Sequence, residues 1–127
     1  MLSWLSRFKK EEIKKLIVID IGYNSHHLSK ALLEIGHYQI VAYIDEEPWN
    51  HLNLMNGAKI HYPSELLALA EKNDVDGVLK FEGEGWQPDD DCLAALAHLN
   101  IGYMALLKDL NIDEQINSVV QRLSSGG

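Results

Sequence analysis

The hydrophobic pattern predicts an α/β fold of three layers, with helices on both faces of a parallel sheet of about five strands. Two observations carry this. Short runs recur that are apolar throughout, as a strand covered on both faces must be. Between them lie segments with apolar residues at helical spacing, which gives the strand–helix alternation of βαβ units.

The first run is Leu16-Ile17-Val18-Ile19, stopping at Asp20-Ile21-Gly22. From Ser25 onward, Leu28, Leu32, Leu33 and Ile35 are spaced for one helix face, and Gly36 is placed to end that helix. Gln39 to Ile44 forms the second strand and ends at Asp45-Glu46-Glu47-Pro48. A short irregular or helical link leads to the turn signal Asn56-Gly57. Ala58 to Tyr62 is the third strand, and a helix runs from Pro63-Ser64-Glu65 to about Lys72, with Pro63 or Ser64 near its N-cap. Val75 to Phe81 is the fourth strand. After a loop from Glu82 to Pro88, the run Asp89-Asp90-Asp91 favours a helix start by its charge against the backbone dipole. That helix carries Leu93, Leu96, Ala97 and Leu99. Ile101 to Leu107 is the fifth strand, and Ile112 to Leu123 the last helix. With right-handed crossovers, five such strands assemble in the order 3-2-1-4-5.

Charge is unevenly spread over the 127 residues. The net charge is −8, yet residues 1–15 hold five bases against two acids, and the remainder holds six bases against seventeen acids. So acidic a body repels phosphate backbones, so no nucleic-acid partner is expected. The single cysteine, Cys92, excludes an intrachain disulfide and suits a reducing compartment. No apolar run is long enough to cross a bilayer and the start lacks a cleavage-site pattern, so a cytoplasmic location is expected. Residues 1–14 read as an amphipathic helix, 15–123 as the α/β domain and 124–127 as a flexible tail. Trp4, Leu5 and Phe8 beside the basic cluster suggest that the first helix joins copies of the chain into a homo-oligomer.

In a sheet of this order, ligands lie beyond the carboxyl ends of the strands where the order reverses, here between the first and fourth. The residues brought there are Asp20 to His26, Asp45 to Glu47, and Glu82 to Trp86. The expected ligand contacts are Asp20, Gly22, Tyr23, Asn24, Ser25, His26, Asp45, Glu46 and Glu82. No lysine or arginine falls in these loops. Any ligand is therefore nucleoside-like or cationic, or has its phosphate held by backbone amides. Trp86 is placed either to stack on a base or to plug the sheet edge. Lys80 either reaches back to an acid such as Asp20 or snorkels from the sheet edge.

No catalytic residue and no metal ligand is expected. His26 and His27 are adjacent, and side chains on successive helix residues diverge by about 100°. His37, His51, His61 and His98 lack a spacing such as H-x-x-x-H and read as surface or partly buried residues. Cys92 reads as a small apolar core residue.

The strand–loop–helix around Asp20-Ile21-Gly22-Tyr23-Asn24-Ser25-His26, the strand-end phrase Tyr43-Ile44-Asp45-Glu46-Glu47-Pro48 and the later Asp74-Val75-Asp76-Gly77-Val78-Leu79 together carry a resemblance. They are similar to the Rossmann-like nucleotide-binding domains of the CoA-binding-like kind. Such domains occur in nucleotide-sugar dehydratases, sugar O-acyltransferases and redox-sensing repressors. The resemblance implies a loop of the form G-x-G-x-x-G. Gly22 matches its middle glycine, Asp20 stands at the first and Ser25 at the third, where it is also placed to cap the helix. Asp45, 23 residues after Gly22, takes the place of the carboxylate that accepts hydrogen bonds from ribose hydroxyls. The ligand so implied is a nucleotide or dinucleotide, NAD-like or a nucleotide-sugar, and the chain is a regulatory or accessory module. Val18-Ile19-Asp20-Ile21-Gly22 also resembles the first motif of S-adenosylmethionine-dependent methyltransferases, which implies a small methyltransferase-like protein. A scaffold whose pocket has decayed is the third reading.

Overall fold

The computed structural model describes residues 13–125. Residues 1–12 of the expected helix at 1–14, and the oligomer contact assigned to Trp4, Leu5 and Phe8, lie outside the described residues; at its expected end Ile13 is not helical and Lys14 already opens the first strand.

Six strands form one sheet: β1 (Lys14–Ile19), β2 (Tyr38–Ile44), β3 (Leu54–Met55), β4 (Ala58–His61), β5 (Gly77–Phe81) and β6 (Gly102–Leu106). Its order is β3-β4-β2-β1-β5-β6. All neighbours run parallel except β3 with β4. The five expected strands appear in the expected order. The difference is β3, a two-residue edge strand that turns at Asn56-Gly57 to pair antiparallel with β4. Two residues carry no periodicity, so only the turn signal marks β3 in the sequence.

Among the described residues four helices cover the sheet: α1 (Tyr23–Ile35), α2 (Leu66–Lys72), α3 (Asp90–His98) and α4 (Ile112–Ser125). Alternation along β1 divides the core. Leu16 and Val18 pack with Leu28 and Leu32 of α1 and with Val119 and Leu123 of α4. Ile17 and Ile19 pack with Leu66 and Ala70 of α2 and with Leu96 of α3. Successive strand residues point to opposite faces, so an unbroken apolar run feeds both layers. The β1–β2 register slips between Leu16 and Ile17, whose partners are Ile40 and Ala42. Val41 is the residue left over, as in a β-bulge.

Local chemistry sets the helix limits. Gly36 ends α1 at φ +91°, its N–H donating to the Leu33 carbonyl. Pro63 occupies the first position of a 3₁₀ turn, Pro63–Glu65, that leads into α2, next to the N-cap Tyr62 and so near the cap as the sequence indicates. Asp89 caps α3 by accepting from the Cys92 amide at 2.8 Å. At the start of α4 the Glu114 amide donates to Asn111 Oδ1 at 2.9 Å, and the Asn111 amide donates to Glu114 Oε1 at 3.0 Å. This is a reciprocal capping box. The helix backbone continues to Ser125, two residues past the expected end.

Candidate functional site

The sheet order reverses at β1, which sends one crossover to β2 and lies beside β5. The carboxyl ends of these strands present Asp20, Asp45 and Glu82 along one edge, as the sequence pattern requires.

Asp20 adopts φ +86°, in the left-handed region that favours glycine. Its Oδ2 accepts from the Gly22 amide at 3.1 Å. Gly22 is the N-cap of α1 and, having no side chain, makes no side-chain cap of its own. A carboxylate of the chain itself therefore lies at a helix N-terminus, in the position where exposed amides attract an anion.

Ser25 does not cap the helix. It is 1% exposed, and its hydroxyl donates to the Ile19 carbonyl at 3.3 Å, which draws the first turn of α1 onto β1. It thus does the packing work of a small third residue in the loop and turns away from the edge. Tyr23 is the opposite case: 75% exposed, it stacks on the His27 ring with centroids 5.4 Å apart. His26 is half-buried in the same turn.

Asn24 reaches across the reversal. Its side-chain amide donates to Glu84 Oε2 at 3.0 Å. Beside that bond Gly85 approaches Asp20 at φ +77°, and a β-carbon added there would lie 2.6 Å from Asp20 Cβ. The loop after β5 is thus seated directly on the loop after β1.

Lys80 holds that loop from below. It is 2% exposed, and its ammonium donates to the carbonyls of Phe81 at 3.1 Å and Glu84 at 2.6 Å. It neither reaches Asp20 nor snorkels from an edge, because β5 is interior and the loop folds back over the ammonium. Lys108, which follows β6, lies 4.0 Å from Glu84 Oε2. It brings a cation to this edge from a loop that the sequence did not associate with it. Trp86 packs half-buried against the core on the α2–α3 face, so it plugs the edge.

Asp45 ends β2. Its Oδ2 accepts from the Glu47 amide at 3.2 Å and from Asn50 Nδ2 at 2.9 Å. Asn50 closes a 3₁₀ turn, Pro48–Asn50, that also carries Trp49, 73% exposed. Neither residue stands out in the sequence, since the turn has no periodicity. Glu46 and Glu82 are exposed. The Glu82 amide continues the β5–β6 ladder by donating to the Leu106 carbonyl.

A second cluster forms beyond Asp45, whose amide donates to the His61 carbonyl at 3.0 Å. His61 Nδ1 lies 3.1 Å from Glu65 Oε2, and His51 Nε2 lies 2.8 Å from Glu65 Oε1. The Glu65 carboxyl is pulled down to about 2, first by the hydrogen bond from the Tyr62 amide and then by the one from His61. Among the described residues the clefts of about 310 Å³ and 280 Å³ lie elsewhere. The larger is lined by Lys14, Asp76 and Gly102 at the amino ends of the strands, and the other lies between β6 and α4.

Strand order, crossovers and the β1–loop–α1 unit define a Rossmann-like α/β domain. Solved structures of that fold match it. UDP-D-quinovosamine 4-dehydrogenase from Vibrio fischeri superposes with a TM-score of 0.61 at 23% identity, over 84% of this chain and 85% of that one. RSP, a Rex-family repressor, gives 0.58 at 13% identity over 97% and 65%; RSP in complex with β-NADH gives 0.56. Homoserine dehydrogenase from S. aureus gives 0.54 at 13% identity, over 90% of this chain and 31% of that one. At these identities the likeness is one of fold. No protein-family model matches the chain, and no curated protein does. Among the described residues no helix is long and apolar enough to cross a membrane.

Proposed function

We propose that this chain is a nucleotide- or dinucleotide-binding module, regulatory or accessory in role, that works by binding and carries no catalytic residues of its own. One observation carries the reading. Asp45 and the amide-lined start of α1 flank the sheet reversal on a β1–loop–α1 unit of Rossmann-like geometry. That is the corner where such folds seat a ribose and a phosphate. Two structures of one matching protein add support, since RSP was solved with β-NADH and with β-NAD⁺ and operator DNA. The acidic excess of residues 16–127 argues against DNA as a partner here.

In this reading Asp45 holds the ribose hydroxyls, and Trp49 offers an aromatic face for the base. The phosphate takes the Gly22 amide from Asp20, and Lys108 supplies a cation across the edge. The ligand displaces the Asn24–Glu84 hydrogen bond, so binding and the position of the loop after β5 are coupled.

The test is a thermal-shift and calorimetric screen of the purified chain against NAD⁺, NADH, a UDP-sugar, CoA, ATP and S-adenosylmethionine. A native-state ligand raises the melting temperature once it exceeds its dissociation constant. The expected result is a shift with NADH or a UDP-sugar that Asp45→Ala abolishes. A shift with S-adenosylmethionine alone replaces this reading with the methyltransferase-like one. No shift with any of them leaves the scaffold reading.

A further inference from the structure

We propose that His51, His61 and Glu65 form a binding site for a divalent transition-metal cation of the zinc type, beside the nucleotide corner and distinct from it. The three donors are His51 Nε2, His61 Nδ1 and a Glu65 carboxylate oxygen, all within 4.8 Å of one another. Two imidazoles and one carboxylate suit zinc and its borderline neighbours rather than calcium or magnesium, which prefer oxygen.

Each donor is held by its own piece of backbone. His61 closes β4 and is tied to β2 through the Asp45 amide. Glu65 ends the 3₁₀ turn that begins at Pro63; its amide donates to the Tyr62 carbonyl and its Oε1 accepts from the Tyr62 amide at 2.9 Å. The His51 ring stacks on the Tyr62 ring, centroids 4.0 Å apart and planes 9° from parallel. Tyr62 thus orients two of the three donors at once, as residues surrounding a metal site do.

The spacing fits an ion. Tetrahedral ligands about 2.0–2.2 Å from zinc stand roughly 3.3–3.6 Å from each other. The carboxylate lies 2.8 Å from one imidazole nitrogen and 3.1 Å from the other. A cation enters by easing the carboxylate away from both imidazoles. Each coordinating nitrogen gives up its proton, and the imidazole keeps or takes one on its other nitrogen, so the ligand set carries one negative charge against two positive. The side chains of His51, His61 and Glu65 are 26%, 16% and 36% exposed, so a fourth position opens to water.

The test uses the full chain, stripped with a chelator and titrated with cobalt(II) chloride and then with zinc chloride. The visible band of cobalt(II) reports coordination number. The expected result is one saturable equivalent with a strong four-coordinate band, displaced by zinc. Losing a direct ligand in His51→Ala or His61→Ala costs more than the roughly 10–100-fold typical of surrounding residues. Glu65→Gln weakens binding while keeping the volume, and serves where an alanine variant fails to fold. The double variant His37→Ala, His98→Ala, at two exposed histidines away from both sites, binds as the wild type does. Failure to saturate at one equivalent, or binding that survives in His61→Ala, or binding lost in the His37–His98 variant, overturns the site. None of these readouts depends on a nucleotide, so the site and the nucleotide reading stand or fall separately.

Discussion

Gly85 lies so close to Asp20 that a β-carbon at Gly85 would sit 2.6 Å from Asp20 Cβ. Its positive φ disfavours a side chain there independently. Gly85→Ala therefore combines a left-handed alanine, about 1–2 kcal/mol, with an overpacked contact of about 1–3 kcal/mol. The expected loss is about 2–5 kcal/mol in urea unfolding. Adding Asp20→Gly should restore part of it, because the colliding atoms are gone. Losses that simply add would show that the two residues do not touch.

Asp20→Gly alone removes a carboxylate from the Gly22 amide and gives the φ of +86° to the residue that tolerates it best. Relief of backbone strain and loss of one hydrogen bond, each about 1 kcal/mol, nearly cancel in stability. Binding should change more. With the resident anion gone, NADH affinity is expected to rise about tenfold, equivalent to about 1.4 kcal/mol. Calorimetry of the variant and wild type decides this, and equal affinities would remove Asp20 from any competition with phosphate.

Lys80→Met keeps the stem and removes the ammonium. The carbonyls of Phe81 and Glu84 then lose their donor inside the fold. The cost of losing hydrogen bonds to a charged group is about 2–3 kcal/mol. The same variant should speed amide exchange across residues 82–88, since the ammonium ties that loop to β5. Faster exchange spread evenly over the chain would instead mean general loosening.

Burial raises the Cys92 thiol above its ordinary value of 9.0, and the nearby Asp89 carboxylate adds to the effect. The native state therefore holds the thiol proton more tightly than the unfolded chain. This contribution to stability is complete below pH 9 and is lost as pH rises through the native value. Iodoacetamide at pH 8 should label the folded protein much more slowly than the protein in urea. Equal rates would place the thiol in water.

The sequence makes the layers legible wherever a side-chain pattern is long. Leu16 to Ile19 and Gln39 to Ile44 show strands covered on both faces, and Leu28 with Leu32 marks the inner side of α1. Ligand-edge positions follow, since fixing strand order fixes which loops meet. Orientation is a different matter. Nothing in Asp20-Ile21-Gly22 indicates that the carboxylate folds back onto the Gly22 amide, or that Ser25 turns inward to Ile19. The convergence of His51, His61 and Glu65 is equally hidden, because it depends on two 3₁₀ turns and a strand end that have no period. The capping box of Asn111 and Glu114 is the reverse case, a signal written in four adjacent residues. Lys108 joins the edge only because β6 runs parallel beside β5.

The central strand acquires its second neighbour late. The Lys15 amide donates to Asp76 Oδ2 at 2.8 Å, and the Asp76 amide donates to the Lys15 carbonyl, across 61 residues of chain. Until that loop closes, β1 has β2 on one side and a bare hydrogen-bonding edge on the other. Long-range parallel pairing of this kind makes the search for the native state slow. A nascent chain that has emerged only to Lys72 already holds β1, β2, β4 and two helices, yet it presents an apolar open edge ready to pair with another copy. The hazard in making this protein therefore lies in the interval before residues 77–81 arrive. Chaperone demand, and aggregation of chains truncated there, should peak at that length.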